Sequence, residues 1–225
     1  LCFICINPPY WEFIAKTIEG ARKFFLPEHE VDYFIWSDIP SNPEAIKQKI
    51  AEDLLKRGEA KASVIGNDLV NILLDESKRK EFDILVEGLT KVRKEISIFE
   101  TEATQWPMPT LFRYHLFLQQ EEKLKDYDYI FYCDIDMIFA NYVGDEILGE
   151  GLTAALHPMY SLRHNFNAPF EPNPQSAAYV PFYNTYYAGG FQGGKSADFI
   201  KAMKAMRRTI DLDFEKNNYI ARWNE

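Results

Sequence analysis

The chain has 225 residues, enough for one large domain or two small ones, and its 47% hydrophobic and 15% aromatic content supplies a sizeable core, which excludes a disordered chain. Lys and Arg number 25 against 34 Asp and Glu, a formal net charge of −9, so the protein as a whole is no electrostatic match for nucleic acid. That balance still accommodates a cation that bridges an anionic ligand to carboxylates.

Leu1-Cys-Phe-Ile-Cys-Ile6 reads as a buried strand, ended by Asn7-Pro8-Pro9. From Trp11 to Phe25 the apolar positions Trp11, Ile14, Ile18, Ala21 and Phe25 fall on one helical face, and Pro27 stops the helix. Val31–Trp36 follows as a second strand, closed by Ser37-Asp38. Strand, helix and strand in such quick succession predict a βαβ start and a parallel sheet, hence an α/β fold. Residues 41–102 keep helical spacing in a strongly charged background (Ile46, Ile50, Leu54, then Phe82, Leu85, Val86, Leu89, Val92 and Ile96) and are expected to be a helical insertion within a single domain, 1–225.

A second α/β section begins near Trp106. Thr110 is placed to cap a helix with the stripe Leu111, Tyr114 and Leu118, ending near Lys125. Tyr129–Cys133 is a buried strand that runs into Asp134-Ile-Asp136, and Leu152–Leu156 is a strand ending at His157-Pro158. Tyr160 to Gln175 is a long loop, Ala177–Val180 and Tyr186–Ala188 are strand-like, Gly189–Gly194 is a turn cluster and Ala197–Ile210 is a helix. Cys2, Cys5 and Cys133 are too few for a disulfide scaffold and wrongly spaced for zinc or redox chemistry, so they read as buried filler. No apolar stretch approaches the roughly 20 residues of a membrane span. Leu1 lies inside a strand-like run, so no signal peptide is expected, and a soluble, reduced compartment is the default.

The sharpest chemical signal is Tyr-Ile-Phe-Tyr-Cys-Asp134-Ile-Asp136. Two carboxylates one residue apart, past the end of a buried strand, stand where open α/β sheets bind ligands. In an extended chain they share one face and repel unless a cation sits between them. Mg²⁺ or Mn²⁺, held by a few carboxylates and phosphate oxygens, suits that arrangement. Arg113 could pair with Asp134 or a phosphate, or be an ordinary exposed helical arginine. His157 could meet a sugar hydroxyl, or be a partly buried polar residue. The four glycines of Tyr186-Tyr-Ala-Gly-Gly-Phe-Gln-Gly-Gly194 permit close approach of a ligand or merely tight turns, and Lys195 does not make them a phosphate-binding Walker loop. Trp223-Asn-Glu225 sets a carboxylate beside an aromatic ring.

Together, Trp106-Pro-Met-Pro-Thr-Leu-Phe-Arg113, Tyr132-Cys-Asp-Ile-Asp136, Leu156-His-Pro158, Gln175-Ser-Ala-Ala-Tyr-Val-Pro181, Tyr186–Gly194 and Trp223 resemble glycosyltransferase family 6, which contains the histo-blood group A and B transferases, the α1,3-galactosyltransferases and bacterial and phage relatives. The resemblance implies a GT-A (Rossmann-like) mixed sheet flanked by helices. It implies retaining transfer of GalNAc or Gal from a UDP-sugar to the 3-OH of a galactose-containing glycan, forming an α1,3 bond. Carried over by motif, Tyr10 stacks on uracil with Cys5 and Asn7 nearby, Arg113 contacts the donor and holds the Asp pair, and Asp134 and Asp136 bind Mn²⁺ (or Mg²⁺) with the diphosphate. Ala188, Gly189 and Gly190 match the stretch that selects the donor; small residues there leave room for the acetamido group of UDP-GalNAc. His157 and Trp223 match acceptor contacts.

Where the family reads Trp-His-Asp-Glu, this chain reads Trp223-Asn224-Glu225, so Glu225 is either the catalytic Glu or the position before it, and the family's C-terminal part is expected to be missing. Phe170-Glu-Pro-Asn-Pro174 replaces the family's acidic-basic loop. The expected location is the cytoplasm, as for bacterial or phage types, or a lumen if an anchor has been removed. The competing readings are a non-catalytic sugar-nucleotide-binding module of the same fold and a phosphatase of the haloacid dehalogenase type, with Asp211 and Asp213 as its poorly matched downstream acids.

Overall fold

Apolar residues on both faces of Cys2–Cys5 make β1 a fully buried strand, as the centre of a parallel sheet requires. The computed structural model, which describes residues 1–65, 69–74, 76–160, 168–181 and 185–221, places it in the middle of a six-stranded sheet. The helix α1 (Pro8–Phe24) follows at once, with a proline in its first turn, where a missing N–H breaks no helical bond. It leads to β2 (Phe34–Ser37), which pairs parallel with β1 from Cys2↔Phe34 to Cys5↔Ser37.

Residues 41–102 contain α2 (Pro43–Lys56), the antiparallel hairpin β3 (Lys61–Ile65) and β4 (Leu69–Leu73), α3 (Glu76–Glu95) and β5 (Ser97–Glu100). The segment is therefore mixed, whereas its periodicity predicts helices alone. β5 pairs parallel with β2 and forms one edge of the main sheet. Its four residues alternate apolar and polar only once, too little to stand out after a twenty-residue helix.

After Trp106 the expected single helix is three short ones, α4 (Met108–Leu111), α5 (Arg113–Leu118) and α6 (Glu121–Leu124). Pro107 and Pro109 confine the first to one turn, and Phe112, at φ −91° and ψ 11°, breaks it from the second. The N-cap position is Pro107, not Thr110. β6 (Tyr129–Cys133) pairs parallel with β1, β7 (Leu152–Leu156) lies at the far edge, and β8 (Tyr187–Lys195) runs antiparallel between β6 and β7. The chain closes with α7 (Ser196–Asn217). The strand order is β5-β2-β1-β6-β8-β7.

Two sequence expectations fail in this region. Gly189–Gly194 is not a turn cluster but the body of β8. A Cβ at Gly193 would stand 2.3 Å from the Ile130 carbonyl oxygen, so glycine lets β8 lie close against β6. Ala177–Val180 is turn and irregular chain rather than strand.

Alternate side chains of the sheet enter two cores. Phe3, Cys5, Ile35, Phe131 and Cys133 meet α1, α2 and α3 through Trp11, Ile14, Ile50 and Leu89. Ile4, Trp36, Ile130 and Tyr132 meet α5 and α7 through Tyr114, Phe117, Phe199 and Met203. Phe117 is fully buried with its ring 4.7 Å from that of Trp36 and 5.5 Å from that of Tyr132. Its truncation to Ala costs about 3–5 kcal/mol. The three cysteines are free and buried. Among the described residues no helix is long and apolar enough to cross a membrane.

Candidate donor site at the crevice between β1 and β6

Beyond β1 the chain turns through α1 towards β2 on one side, while β6 flanks β1 on the other. The crevice outside the carboxyl ends of β1 and β6 is where such sheets bind ligands. A cavity of about 170 Å³ opens there, lined by Asn7 and Tyr10 after β1, by Trp106 and Thr110, and by Asp134 and Asp136 after β6. A larger hollow of about 1020 Å³ lies at the amino ends of the same strands, between Leu1, Asp32 and Tyr127. None of the candidate site residues lines it.

Strand alternation decides which β1 residues face the cavity. Ile4 and Ile6 line it, whereas Cys5 points into the core under α1 and is fully buried. The Cys5 thiol thus faces the core, and only its backbone runs beside the cavity-lining Ile4 and Ile6. Burial, with the Asp38 and Asp136 charges behind it, holds that thiol well above its ordinary range, so it stays protonated. Asn7 ends the strand at φ 79°, held by its N–H to Asp38 Oδ1 (2.9 Å) and its side-chain amide to the Thr104 carbonyl (2.8 Å). Tyr10, 43% exposed in the first turn of α1, offers a free ring face to the cavity.

Asp134 and Asp136 stand on a turn directly after β6 rather than on extended chain. The turn is fixed from three sides. Asp134 N donates to the Gly190 carbonyl at 2.8 Å, Met137 N to the Asp134 carbonyl at 3.2 Å, and the buried Thr17 hydroxyl reaches the Ile135 carbonyl at 2.6 Å. Ile135 is buried while Asp134 is half-buried and Asp136 exposed, so both carboxylates face outward. The Tyr132 hydroxyl donates to Asp134 Oδ1. Burial raises the Tyr132 phenol far above its usual range against the opposing pull of Arg113, so it remains a donor.

Arg113 is 2% exposed, which rules out the reading of an ordinary surface arginine. Its Nε donates to the Thr110 carbonyl at 2.8 Å and a terminal nitrogen to the Gly189 carbonyl at 3.1 Å, while its guanidinium lies 4.7 Å from the Tyr132 ring centroid. It thus joins α4, β8 and β6 behind Asp134. Gly190 touches the same carboxylate: a Cβ there would stand 2.7 Å from Asp134 Oδ2. Ala188 and Gly189 precede it on the strand, half-buried.

The β7–β8 register puts Leu156 opposite Tyr187, so His157 lies at the same end of the sheet as the Asp pair. Its N–H donates to the Tyr186 carbonyl (3.0 Å), and its ring lies 4.7 Å from Tyr160 and 5.7 Å from Tyr186, an aromatic platform beside the crevice. Trp223 and Glu225 lie outside the described residues, as do 161–167 of the long loop. Asp211 and Asp213 are committed elsewhere, to His115 and Ser176, which leaves the phosphatase reading without its downstream acids.

Sequence reasoning missed three supports. Tyr132 shares its strand face with Asp134 by i, i+2 spacing, and Thr17 is a polar residue on the apolar side of a helix; both signals were present. Asp38 gave only a strand-ending aspartate.

A mixed, mostly parallel sheet between helix layers, with a paired-carboxylate turn in its crevice, is a glycosyltransferase domain of GT-A type. The chain belongs to glycosyltransferase family 6, whose profile matches residues 89–225. It is 28% identical over 218 residues to globoside alpha-1,3-N-acetylgalactosaminyltransferase 1 of Gallus gallus, covering 96% of this chain and 52% of that protein. It is 24% identical over 220 residues to histo-blood group ABO system transferase 1 of Rattus norvegicus (96% of this chain, 51% of the relative). With O-antigen biosynthesis glycosyltransferase WbnI of Escherichia coli it shares 26% identity over 125 residues (54% and 53%). The chain spans about half the length of these relatives.

Proposed function

We propose that this chain forms the donor-binding part of a retaining glycosyltransferase that moves GalNAc, or Gal, from a UDP-sugar to the 3-OH of a galactose-containing glycan. The observation that carries this reading is the convergence of Asn7, Tyr10, Asp134 and Asp136 on one cavity in the sheet crevice, backed by Arg113. The family and its relatives, named for α1,3-GalNAc and blood-group transfer, support the same chemistry.

The residues fit a divalent cation shared with the substrate. Among the described residues no three His, Cys, Asp or Glu gather to cage a metal by themselves. Two outward carboxylates, one oriented by Tyr132, instead form a donor set for Mn²⁺ or Mg²⁺ whose remaining ligands are diphosphate and water oxygens. When bound, such an ion neutralises charge on the leaving diphosphate. Tyr10 then stacks on the base, and Asn7 shapes the pocket beneath it. Arg113 adds fixed positive charge behind Asp134 and keeps the turn from relaxing as charge develops. Ala188, small on the donor side, favours the bulkier GalNAc, while Gly190 leaves room for the Asp134 carboxylate. His157 receives the acceptor sugar; the family resemblance gives Trp223 the same role and makes Glu225, or the position after it, the carboxylate that answers the developing oxocarbenium ion.

The test is a screen of UDP-sugars with a fucosylated galactoside acceptor, with and without Mn²⁺, following released UDP and product. Asp136→Asn is expected to abolish Mn²⁺-stimulated transfer while the fold survives. Full activity of that variant in excess EDTA would remove the metal from the scheme. UDP binding by the native chain without turnover would select the non-catalytic binding module instead.

A further inference from the structure

Segment 41–102 grips the turn after β2 at two consecutive residues. From α2, Lys49 Nζ donates to the Asp38 carbonyl at 3.1 Å and lies 3.5 Å from Asp38 Oδ2. From α3, Arg93 donates to the Ile39 carbonyl at 3.1 Å. The Asp38 side chain is 3% exposed, and its other oxygen, Oδ1, accepts from Asn7 N at 2.9 Å and Trp11 Nε1 at 3.0 Å. Lys49 Nζ also sits 5.7 Å from the centroid of the Trp11 ring. One carboxylate thus connects an insertion lysine on one oxygen to the cavity-lining Asn7 backbone on the other.

A buried carboxylate is tolerated only when its charge is answered and its lone pairs are filled. Two N–H groups fill Oδ1, and Lys49 supplies the countercharge at Oδ2. The Asn7 φ of 79° is a conformation that L residues adopt rarely, at a cost of about 1–3 kcal/mol, and it persists only where neighbours fix it. Asp38 Oδ1 is one such neighbour and Thr104 the other. The Asn7 carbonyl in turn accepts from Tyr10 N at 3.0 Å, so the setting of Asn7 is passed on to the aromatic ring at the cavity mouth.

We infer that Lys49 is a positioning residue for the nucleotide cavity: by anchoring the Asp38 carboxylate it fixes the Asn7 turn, and through it the insertion tunes donor affinity. The inference rests on the donor-site reading above. Lys49 is 41% exposed and is not among the residues that line the cavity, so its effect is transmitted through its neighbours, Asp38 above all.

The experiment is calorimetric titration of the full chain with uridine diphosphate in the presence of Mn²⁺, with thermal denaturation run on the same samples. Lys49→Met is expected to weaken UDP binding about three- to fivefold, the range of a partly exposed ion pair, with little change in Tm. Lys49→Arg restores native affinity, and Lys47→Met, which opens the exposed Lys47–Glu44 pair on the same helix, leaves it unchanged. In a cycle with Asp38→Asn, the Lys49→Met effect shrinks, because the charge that Lys49 answers is gone and only its bond to the Asp38 main-chain carbonyl is left. Native UDP affinity in Lys49→Met, or a loss that persists undiminished in the Asp38→Asn background, overturns the inference and leaves the donor site standing. Failure of the native chain to bind UDP overturns the donor reading and this inference with it.

Discussion

Gly190→Ala separates two roles for the glycines of β8. The added Cβ would stand 2.7 Å from Asp134 Oδ2, 0.7 Å inside the 3.4 Å at which ordinary contact begins, and 3.1 Å from Met137 Sδ. Both obstacles are ends of flexible side chains rather than backbone, so the strand stays and the carboxylate moves. Its other oxygen is tied to the Tyr132 hydroxyl, a hydrogen bond to a charged group worth about 1.5–3 kcal/mol, and displacement strains that bond while turning the carboxylate from the place of the proposed cation. A loss of about 1.4 kcal/mol raises the Mn²⁺ concentration for half-maximal activity tenfold. The assay is UDP release against Mn²⁺ at saturating UDP-GalNAc, repeated with UDP-Gal and with Tyr132→Phe, which is expected to shift metal demand in the same direction. An unchanged Mn²⁺ requirement in Gly190→Ala, together with a switch of preference to UDP-Gal, would refute this reasoning. Residue 190 would then face the sugar rather than the metal ligand.

Two further outcomes follow from buried groups. Asp213→Ala strips partners from the Ser176 hydroxyl (2.6 Å) and Ala177 N–H (2.7 Å), which hold residues 176–178 to α7 beside the expected acceptor side. Leaving those donors unmet costs about 2–4 kcal/mol, seen as a lower Tm, with a raised acceptor KM and unaltered UDP affinity. Alkaline pH is expected to unfold the chain: burial lifts the Cys2 thiol from 9.0 to about 11, and the Cys5, Cys133 and Tyr132 protons are also held above their ordinary ranges. The unfolded chain ionises first, so stability is whole below about pH 9 and falls as pH rises towards 11, by about 3 kcal/mol for Cys2 alone. The urea midpoint measured across that range checks it; Cys2→Ala flattens the slope, and an unchanged midpoint would mean the thiols reach solvent.

The fold was most legible where one local rule operated alone. A 3.6-residue apolar period from Trp11 marked α1, and an unbroken apolar run before Asp134 marked β6 as a strand buried on both faces. It was least legible where tertiary contact overrode composition. Glycine clusters usually signal turns, yet β8 needs them because β6 backbone and the Asp134 carboxylate occupy the space of their side chains. A twenty-residue amphipathic helix hid the four-residue β5, whose pairing with β2 is a long-range event that no local pattern encodes.

The site followed the same division. Asp134, Asp136 and Arg113 stood out as candidates because charge beside hydrocarbon is conspicuous in one dimension. What holds the site did not: Thr17 reaches the Asp134–Asp136 turn across 118 residues, Asp38 reaches Asn7 across 31, and Lys49 reaches Asp38 across 11. Cys5 came from the family motif alone; alternation turns its side chain to the core under α1, while Ile4 and Ile6 enter the opposite core and line the cavity. A carboxylate pair announces a cation, but its aim is set by neighbours that sequence alone distributes among helices, strands and insertions. Substitutions in that supporting shell, rather than in the aspartates themselves, therefore discriminate best between a working donor site and a coincidental acidic turn.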